Sequence, residues 1–231
     1  MTKISLSIVV PVFNEQGNVP LLAQNIIAAL SKQNEIEAFE IVFVDDASTD
    51  NSLIECKSIS DKRIQVVSSS MRRGQTKATK LGIEAARYNV VATLDADLQN
   101  DPADFPAMAR ELNKGYDFVQ GWRFNRNDPF VRKLSSAIAN KTRRLFLKDN
   151  FHDISCSTRL FKKESVQNIE FFDGAHRFFP YLVQQQGFKV IECPVQHHHR
   201  TIGESKYNIR NRLFRAFSDM FRLYLKKKKM K

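Results

Sequence analysis

The chain has 231 residues, 42% of them hydrophobic and 26% charged, the proportions of one folded domain with or without an appendage, which argues against wholesale disorder and against a bundle of membrane spans. The formal net charge of +11 is concentrated in two stretches: residues 122–148 carry 8 Lys+Arg against 1 Asp+Glu, and residues 206–231 carry 10 against 1, whereas residues 1–121 are acidic at 12 against 16 and residues 149–205 nearly balanced at 6 against 7. No nucleic-acid-binding motif accompanies either basic stretch, so nucleic acid is not the expected partner.

Through residue 122, short β-rich runs alternate with longer helical patterns, the signature of βα units on a largely parallel sheet. Strands are predicted near Leu6–Val10, Ile41–Val44, Ile64–Ser68, Val90–Leu94 and Phe118–Trp122, and helices around Asn18–Leu30, Asn51–Ser60, Gly74–Arg87 and Asp104–Lys114. Ser48, Thr49 and Asp50 offer N-caps for the second helix, and Pro102 is a start signal for the fourth. The longest apolar runs, Ile8–Val10 and Ile41–Val44, stop far short of the roughly 20 residues that cross a bilayer. With no apolar leader segment at the N-terminus, the chain is expected in the cytoplasm. Cys56, Cys156 and Cys193 have neither paired nor metal-type spacing and read as reduced thiols.

In an open α/β sheet, ligands bind beyond the carboxyl ends of the strands, and here those ends are acidic. The first gives Pro11-Val12-Phe13-Asn14-Glu15, the second Asp45-Asp46-Ala47-Ser48-Thr49-Asp50 and the fourth Asp95-Ala96-Asp97-Leu98-Gln99. Carboxylates so clustered repel one another unless a cation or ligand donors neutralise them. Asp95 and Asp97 suit Mg²⁺ or Mn²⁺ carrying phosphate oxygens, with Gln99 a further oxygen donor; a lone D-x-D is more often a capped turn, and it is the company of the other acidic ends that favours the metal. No P-loop, Gly-x-Gly-x-x-Gly turn or Gly-x-Ser-x-Gly elbow is present, which leaves a metal-bound diphosphate held without a P-loop.

Toward the C-terminus, Leu213, Phe214, Phe217, Met220, Phe221, Tyr224 and Leu225 recur at helical spacing, with Arg210, Arg212, Arg215 and Arg222 between them and Lys226–Lys229 after them. A basic amphipathic helix of this kind either packs on the core with a solvated tail or lies in an anionic bilayer surface, where each Lys or Arg adds about 1 kcal/mol.

Val9–Glu15 (VVPVFNE), Val44–Asp50 (VDDASTD), Arg73–Gly82 (RGQTKATKLG), Leu94–Pro102 (LDADLQNDP), Gly121-Trp122-Arg123, Arg132–Asn140 (RKLSSAIAN), Asp153–Glu164 (DISCSTRLFKKE) and Arg200–Tyr207 (RTIGESKY) together resemble glycosyltransferase family 2, and within it the dolichyl- and polyprenyl-phosphate sugar transferases of the dolichyl-phosphate mannose synthase kind. The resemblance implies a GT-A fold, α/β with a Rossmann-like, mostly parallel central sheet flanked by helices, and inverting transfer from a UDP- or GDP-sugar to a polyprenyl phosphate at the cytoplasmic face of a membrane. Carried over by position, Pro11, Phe13, Glu15, Asp45 and Asp46 would hold the base and ribose, Asp95 also facing the donor. Asp95, Asp97 and Gln99 would hold Mg²⁺ or Mn²⁺. Arg123, Arg132 and Ser136 would bind the acceptor phosphate, with Arg200 and Lys206 reaching the diphosphate or acceptor; Asp95, Asp97, Arg123 and Arg132 would carry catalysis. Residues 1–205 would form the catalytic domain, 1–122 its nucleotide-sugar half and 123–205 its acceptor half, and residues 206–231 the docking helix and tail. Relatives often continue into membrane helices, so this tail or a membrane-embedded partner protein would do the docking. Arg73 stands where the pattern has Asn, and Ser155 where it often has Gly.

A lipid phosphate is already anionic and needs cations rather than a base. Were the acceptor a sugar or protein hydroxyl, a general base would be required, and Asp153 is the candidate; a non-catalytic module binding anionic lipid is the third reading. Trp122 would stack on sugar or fill the core, and His176 and Arg177 would edge either the site or a helix. Of His197-His198-His199, adjacent residues of an extended segment face opposite ways, so they cannot share one ion, and one of them is expected on the pocket wall.

Overall fold

The computed structural model describes residues 2–124, 142–200 and 218–225. In chain order the described elements are β1 (Ile4–Val12), α1 (Asn18–Leu30), β2 (Ile36–Asp45), α2 (Ser52–Ser58), β3 (Ile64–Ser68), α3 (Gln75–Ala85), β4 (Val90–Thr93), α4 (Phe105–Asn113) and β5 (Phe118–Trp122). After them come a helix at 142–147 (α5), β6 (Arg159–Lys162), α6 (Phe179–Gln185), β7 (Val190–Pro194) and a helix at 218–225 (α7). The predicted elements of the first half are all present, α1, β3 and β5 with the expected bounds. β1 and β2 are longer because a parallel ladder pairs them from Ser5↔Ala38 to Val12↔Asp45. Pro102 opens a short 3₁₀ turn, capped by Asp101 Oδ1 accepting from Ala103 N at 2.9 Å, before α4 begins.

Seven described strands form one sheet in the order β3-β2-β1-β4-β6-β5-β7. β1, β2, β3 and β4 are parallel, as are β5 and β7, while β6 runs antiparallel to both β4 and β5. The chain winds outward from β1 through β2 to β3, then crosses back to place β4 on the other side of β1. The strand order therefore reverses between β1 and β4, the place where an open α/β sheet forms its ligand crevice.

Alternation along β1 distributes its side chains between two cores. Leu6, Ile8, Val10 and Val12 meet Val19, Leu22 and Ile26 of α1 and Phe105 and Met108 of α4. Val9, with Val42, Val44 and Val91, meets Ala78 and Ile83 of α3 and Phe179 and Val183 of α6. α3 lies unusually close to the sheet because residue 82 is glycine: a Cβ there would stand 2.3 Å from Val9 Cγ1 and 2.9 Å from Val44 Cγ2. Between these interior strands, Ser7 Oγ donates to buried Glu40 Oε1 at 2.6 Å, which also accepts from Arg87 N at 2.6 Å, tying β1 and β2 to the turn before β4.

A third cluster joins Leu147, Phe151, Ile154, Phe178 and Tyr181 to Met220 and Leu223 of α7. Asp219 accepts from Arg177 Nη1 at 3.1 Å and fastens the same helix. The core-facing side of α7 is thus Met220 and Leu223, while Phe221 and Leu225 of the predicted stripe stay 52% and 44% exposed; Leu213, Phe214, Phe217 and the lysine run lie outside the described residues. No described helix is long and apolar enough to cross a membrane. All three cysteines are buried free thiols.

Candidate active site

The segments leaving β1, β2 and β4 line the switch-point crevice, and each turns through a non-glycine residue in the left-handed region: Asn14 (φ 54°), Ala47 (φ 58°) and Leu98 (φ 60°). Each such conformation costs on the order of 1–3 kcal/mol and persists only where its surroundings enforce it. The enforcement is visible. Asn14 Oδ1 accepts from Thr49 N at 2.7 Å, Asn14 N donates to Ser48 Oγ at 3.0 Å, and Glu15 N donates to Ser52 Oγ at 2.7 Å, so the β1 and β2 loops brace each other. Asp50 accepts from Ser52 N at 2.9 Å and from Gln16 N at 3.2 Å, whereas the N-cap of α2 is Asn51 rather than Ser48, Thr49 or Asp50, because the helix begins one residue later, at Ser52.

The two aspartates at the end of β2 separate in role. Asp46 accepts from Arg73 N at 2.7 Å on one oxygen and from Gly74 N at 2.8 Å on the other, so both oxygens are spent holding the turn into α3. Asp45 is buried, its Oδ2 accepting from Ser48 N at 3.2 Å while Oδ1 has no hydrogen-bond partner. A buried acceptor without a donor is costly, so Asp45 Oδ1 has the chemistry to accept an N–H from a molecule bound in the crevice. Pro11, the last residue but one of β1, pairs with Val44 beside them, and the Phe13 ring carries the Arg72 guanidinium 3.9 Å from its centroid.

Asp95 and Asp97 stand one turn beyond β4. Burial, then the charge of Asp97 beside it, pushes the Asp95 carboxyl above the usual carboxylate range, against the pull of its Ser157 hydrogen bond and of Arg159 and Arg123. Gln75, at the start of α3, donates its amide to Asp95 Oδ1 at 2.7 Å. Gln75 falls within the Arg73–Gly82 block, yet spacing alone gives it no role; the close approach of α3 at Gly82 does. Behind the pair lies Arg159, buried on β6, donating to Gln120 Oε1 at 2.9 Å and lying over the Phe179 ring; burial pulls it down to about 10. Gln99 donates its amide to His198 O at 3.2 Å, which leaves the side-chain oxygen as its end for a cation. Among the described residues no three His, Cys, Asp or Glu side chains converge on a metal position. Two hard carboxylates and one amide oxygen fit a Mg²⁺ or Mn²⁺ whose shell is completed by phosphate oxygens and water.

The acceptor-side residues come from the second half. Arg123 grips Asp153 with both arms, Nε to Oδ2 at 2.6 Å and Nη2 to Oδ1 at 2.9 Å, and Nη2 also reaches Ser155 Oγ at 3.2 Å. Burial disfavours the Arg123 charge, but the bonds to Asp153 more than offset this and hold the guanidinium above its usual range. Glu192 of β7 fixes the loop carrying Asp153, accepting from His152 N at 2.8 Å and Asp153 N at 2.9 Å. Trp122 stacks on His152 with centroids 4.5 Å apart rather than filling the core. Arg200 donates to Asp97 Oδ2 at 3.0 Å and stands 3.6 Å from Glu15 Oε1. His197 bridges to Asn100, and His198 lies 3.3 Å from Asp101. His176 Nδ1 is 2.6 Å from Thr76 Oγ1, next to Gln75. Arg132, Ser136 and Lys206 lie outside the described residues.

A switch-point crevice flanked by an aspartate pair and bordered by arginines is the architecture of a GT-A fold. The model of the family Glycosyl transferase family 2 matches residues 7–170, and the chain belongs to that family. Its relatives include the dodecaprenyl-phosphate galacturonate synthase of Rhizobium johnstonii, 35% identical over 94% of this chain and 65% of the relative. The undecaprenyl-phosphate 4-deoxy-4-formamido-L-arabinose transferase of Pectobacterium atrosepticum is 35% identical over 88% of this chain and 63% of the relative. The chain thus spans a little under two thirds of the length of these relatives. The glucosyl-3-phosphoglycerate synthase of Mycobacterium tuberculosis shares the fold with a TM-score of 0.64 at 18% identity, over 87% of this chain and 73% of that one; another of its structures contains Mn²⁺ and UDP.

Proposed function

We propose that the protein transfers a sugar from a nucleotide-diphosphate sugar to a polyprenyl phosphate, with inversion, at the cytoplasmic face of a membrane. The observation that carries this reading is the bidentate Arg123–Asp153 pair. Asp153 is the carboxylate a hydroxyl acceptor would need as its base, and both its oxygens are engaged by a guanidinium, which ill suits proton abstraction. An acceptor that arrives ionised needs no base, and the relatives named for polyprenyl-phosphate transfer point the same way.

Asp45 receives an N–H of the base, Phe13 lies along it and Glu15 faces the ribose, while Asp46 keeps the α3 turn closed around them. Asp95, Asp97 and Gln99 would hold Mg²⁺ or Mn²⁺, which when bound supplies Lewis-acid neutralisation of the departing nucleotide diphosphate. Gln75 fixes the rotamer of Asp95. Arg123, with Arg132, Ser136, Arg200 and Lys206, offsets repulsion between the acceptor phosphate and the diphosphate and holds the nucleophile in line behind the anomeric carbon. Residues 206–231 bring this catalytic body to an anionic surface, alone or beside a membrane-embedded partner.

Incubation of the protein with radiolabelled UDP- or GDP-sugars, Mn²⁺ and a short polyprenyl phosphate tests the reading. Label should move into the organic phase with wild type and not with Asp97→Ala. Label that reaches only water-soluble products would assign the protein to hydroxyl acceptors, and absence of any nucleotide binding would reduce it to a lipid-binding module.

A further inference from the structure

Arg200 sits where the segment after β7 returns to the site, laid against the β4 loop by the His198 N to Gln99 O bond of 2.8 Å and the Asn100–His197 bridge. Its guanidinium spans the crevice, 3.0 Å from Asp97 Oδ2 on the β4 side and 3.6 Å from Glu15 Oε1 on the β1 side. Asp97 and Glu15 would repel each other across this gap, and one partly buried guanidinium between them offsets that repulsion. A divalent ion on Asp97 needs a carboxylate oxygen at about 2.1 Å. A guanidinium hydrogen-bonded to the same carboxylate would then face it at a separation of a few ångströms, where two cations repel strongly in a site shielded from water.

We propose that Arg200 is a displaceable counter-cation of the donor site: it bridges Asp97 and Glu15 and offsets their repulsion before the donor binds, and it transfers to the nucleotide diphosphate as the divalent ion takes Asp97. The proposal rests on the donor-site reading above and adds an order of events to it. The arginine exchanges one anionic partner for another, so its charge never lacks a partner. The ion finds its carboxylate vacated only when a diphosphate is present to draw the arginine away. Metal and nucleotide therefore bind cooperatively, and by linkage each raises the affinity for the other by the same factor.

Mn²⁺ binding to the full chain, followed by the electron paramagnetic resonance signal of the free ion, tests this without turnover. In the absence of nucleotide, Arg200→Gln should bind Mn²⁺ about tenfold more tightly than wild type. Addition of UDP or GDP should sharpen Mn²⁺ binding to wild type and do so by a smaller factor in the variant, while Arg200→Lys should behave like wild type. Nucleotide-dependent Mn²⁺ binding that is the same in wild type and Arg200→Gln, or weaker Mn²⁺ binding by the variant without nucleotide, overturns the counter-cation role and leaves the donor site standing. Failure of wild type to bind Mn²⁺ even with either nucleotide removes the donor-site reading and the counter-cation role with it.

Discussion

Asp104, in the 3₁₀ turn before α4, illustrates how a single side chain links the fold to solution conditions. Burial pushes its carboxyl up to about 6, against the Gln196 N–H it accepts at 2.8 Å and with nearby Asp101 adding to the rise. A carboxyl with a raised folded-state value favours the native state while protonated, and that advantage is lost as pH rises from about 4 through about 6. Asp104→Asn should therefore stabilise the protein by about 1 kcal/mol at pH 8, after allowance for solvent screening, and by nothing near pH 3; melting temperatures of the two proteins across this range provide the check. Arg123→Lys tests the acceptor site at the same scale. Lysine keeps the charge but cannot span both oxygens of Asp153, so the KM for polyprenyl phosphate should rise about tenfold or more while the nucleotide dissociation constant stays within about twofold, as measured by initial rates and calorimetry. The residues themselves were legible unevenly. Asp95, Asp97 and Asp45 announce themselves as carboxylates at strand ends, but that Asp46 is consumed by backbone N–H groups, or that Arg123 is clamped by Asp153, depends on loops whose paths no local pattern encodes.

Gly82 shows why an element's distance from the sheet matters to chemistry at its end. Because no Cβ separates α3 from Val9 and Val44, the helix start delivers Gln75 to Asp95 and Thr76 to His176. Gly82→Ala should destabilise the fold by about 2 kcal/mol through overpacking and also weaken Mn²⁺-dependent nucleotide binding, whereas Gly82→Ala combined with Val9→Ala should recover part of both losses. Chemical denaturation and calorimetry on the single and double variants measure the coupling. Periodicity found the helices and strands of the first half because long amphipathic or continuous apolar runs form them. It gave no strand at 159–162 or 190–194: β6 is four residues bounded by Arg159 and Lys162, and β7 is a partly exposed edge strand ending in Pro194. Their pairing depends on partners far along the chain, and a short run carries no signal of that.

At the scale of the molecule, the C-terminal helix belongs to the body as well as to any surface it meets, since Met220 and Leu223 complete a core cluster. Deleting residues 208–231 would confuse docking with folding. Changing Lys226–Lys229 to Gln instead should lower binding to vesicles containing anionic phospholipid several-fold at low salt, with little change at high salt or with neutral vesicles, and should leave the melting temperature unchanged; vesicle sedimentation and thermal melts report the two. Composition located the charge, but not that Met220 of the predicted stripe, together with Leu223 outside it, is already buried in the core. The reversed strand has a further consequence. Because β6 runs opposite to β5, the chain leaves the sheet at Trp122 and rejoins it at Arg159 on one and the same rim, and the Arg123–Asp153 clasp closes that excursion at its neck. With both ends of the excursion held on that rim, substitutions at Leu147, Phe151 or Ile154 strain the core cluster they share with Met220 and Leu223 while the register of every ladder stays as it is.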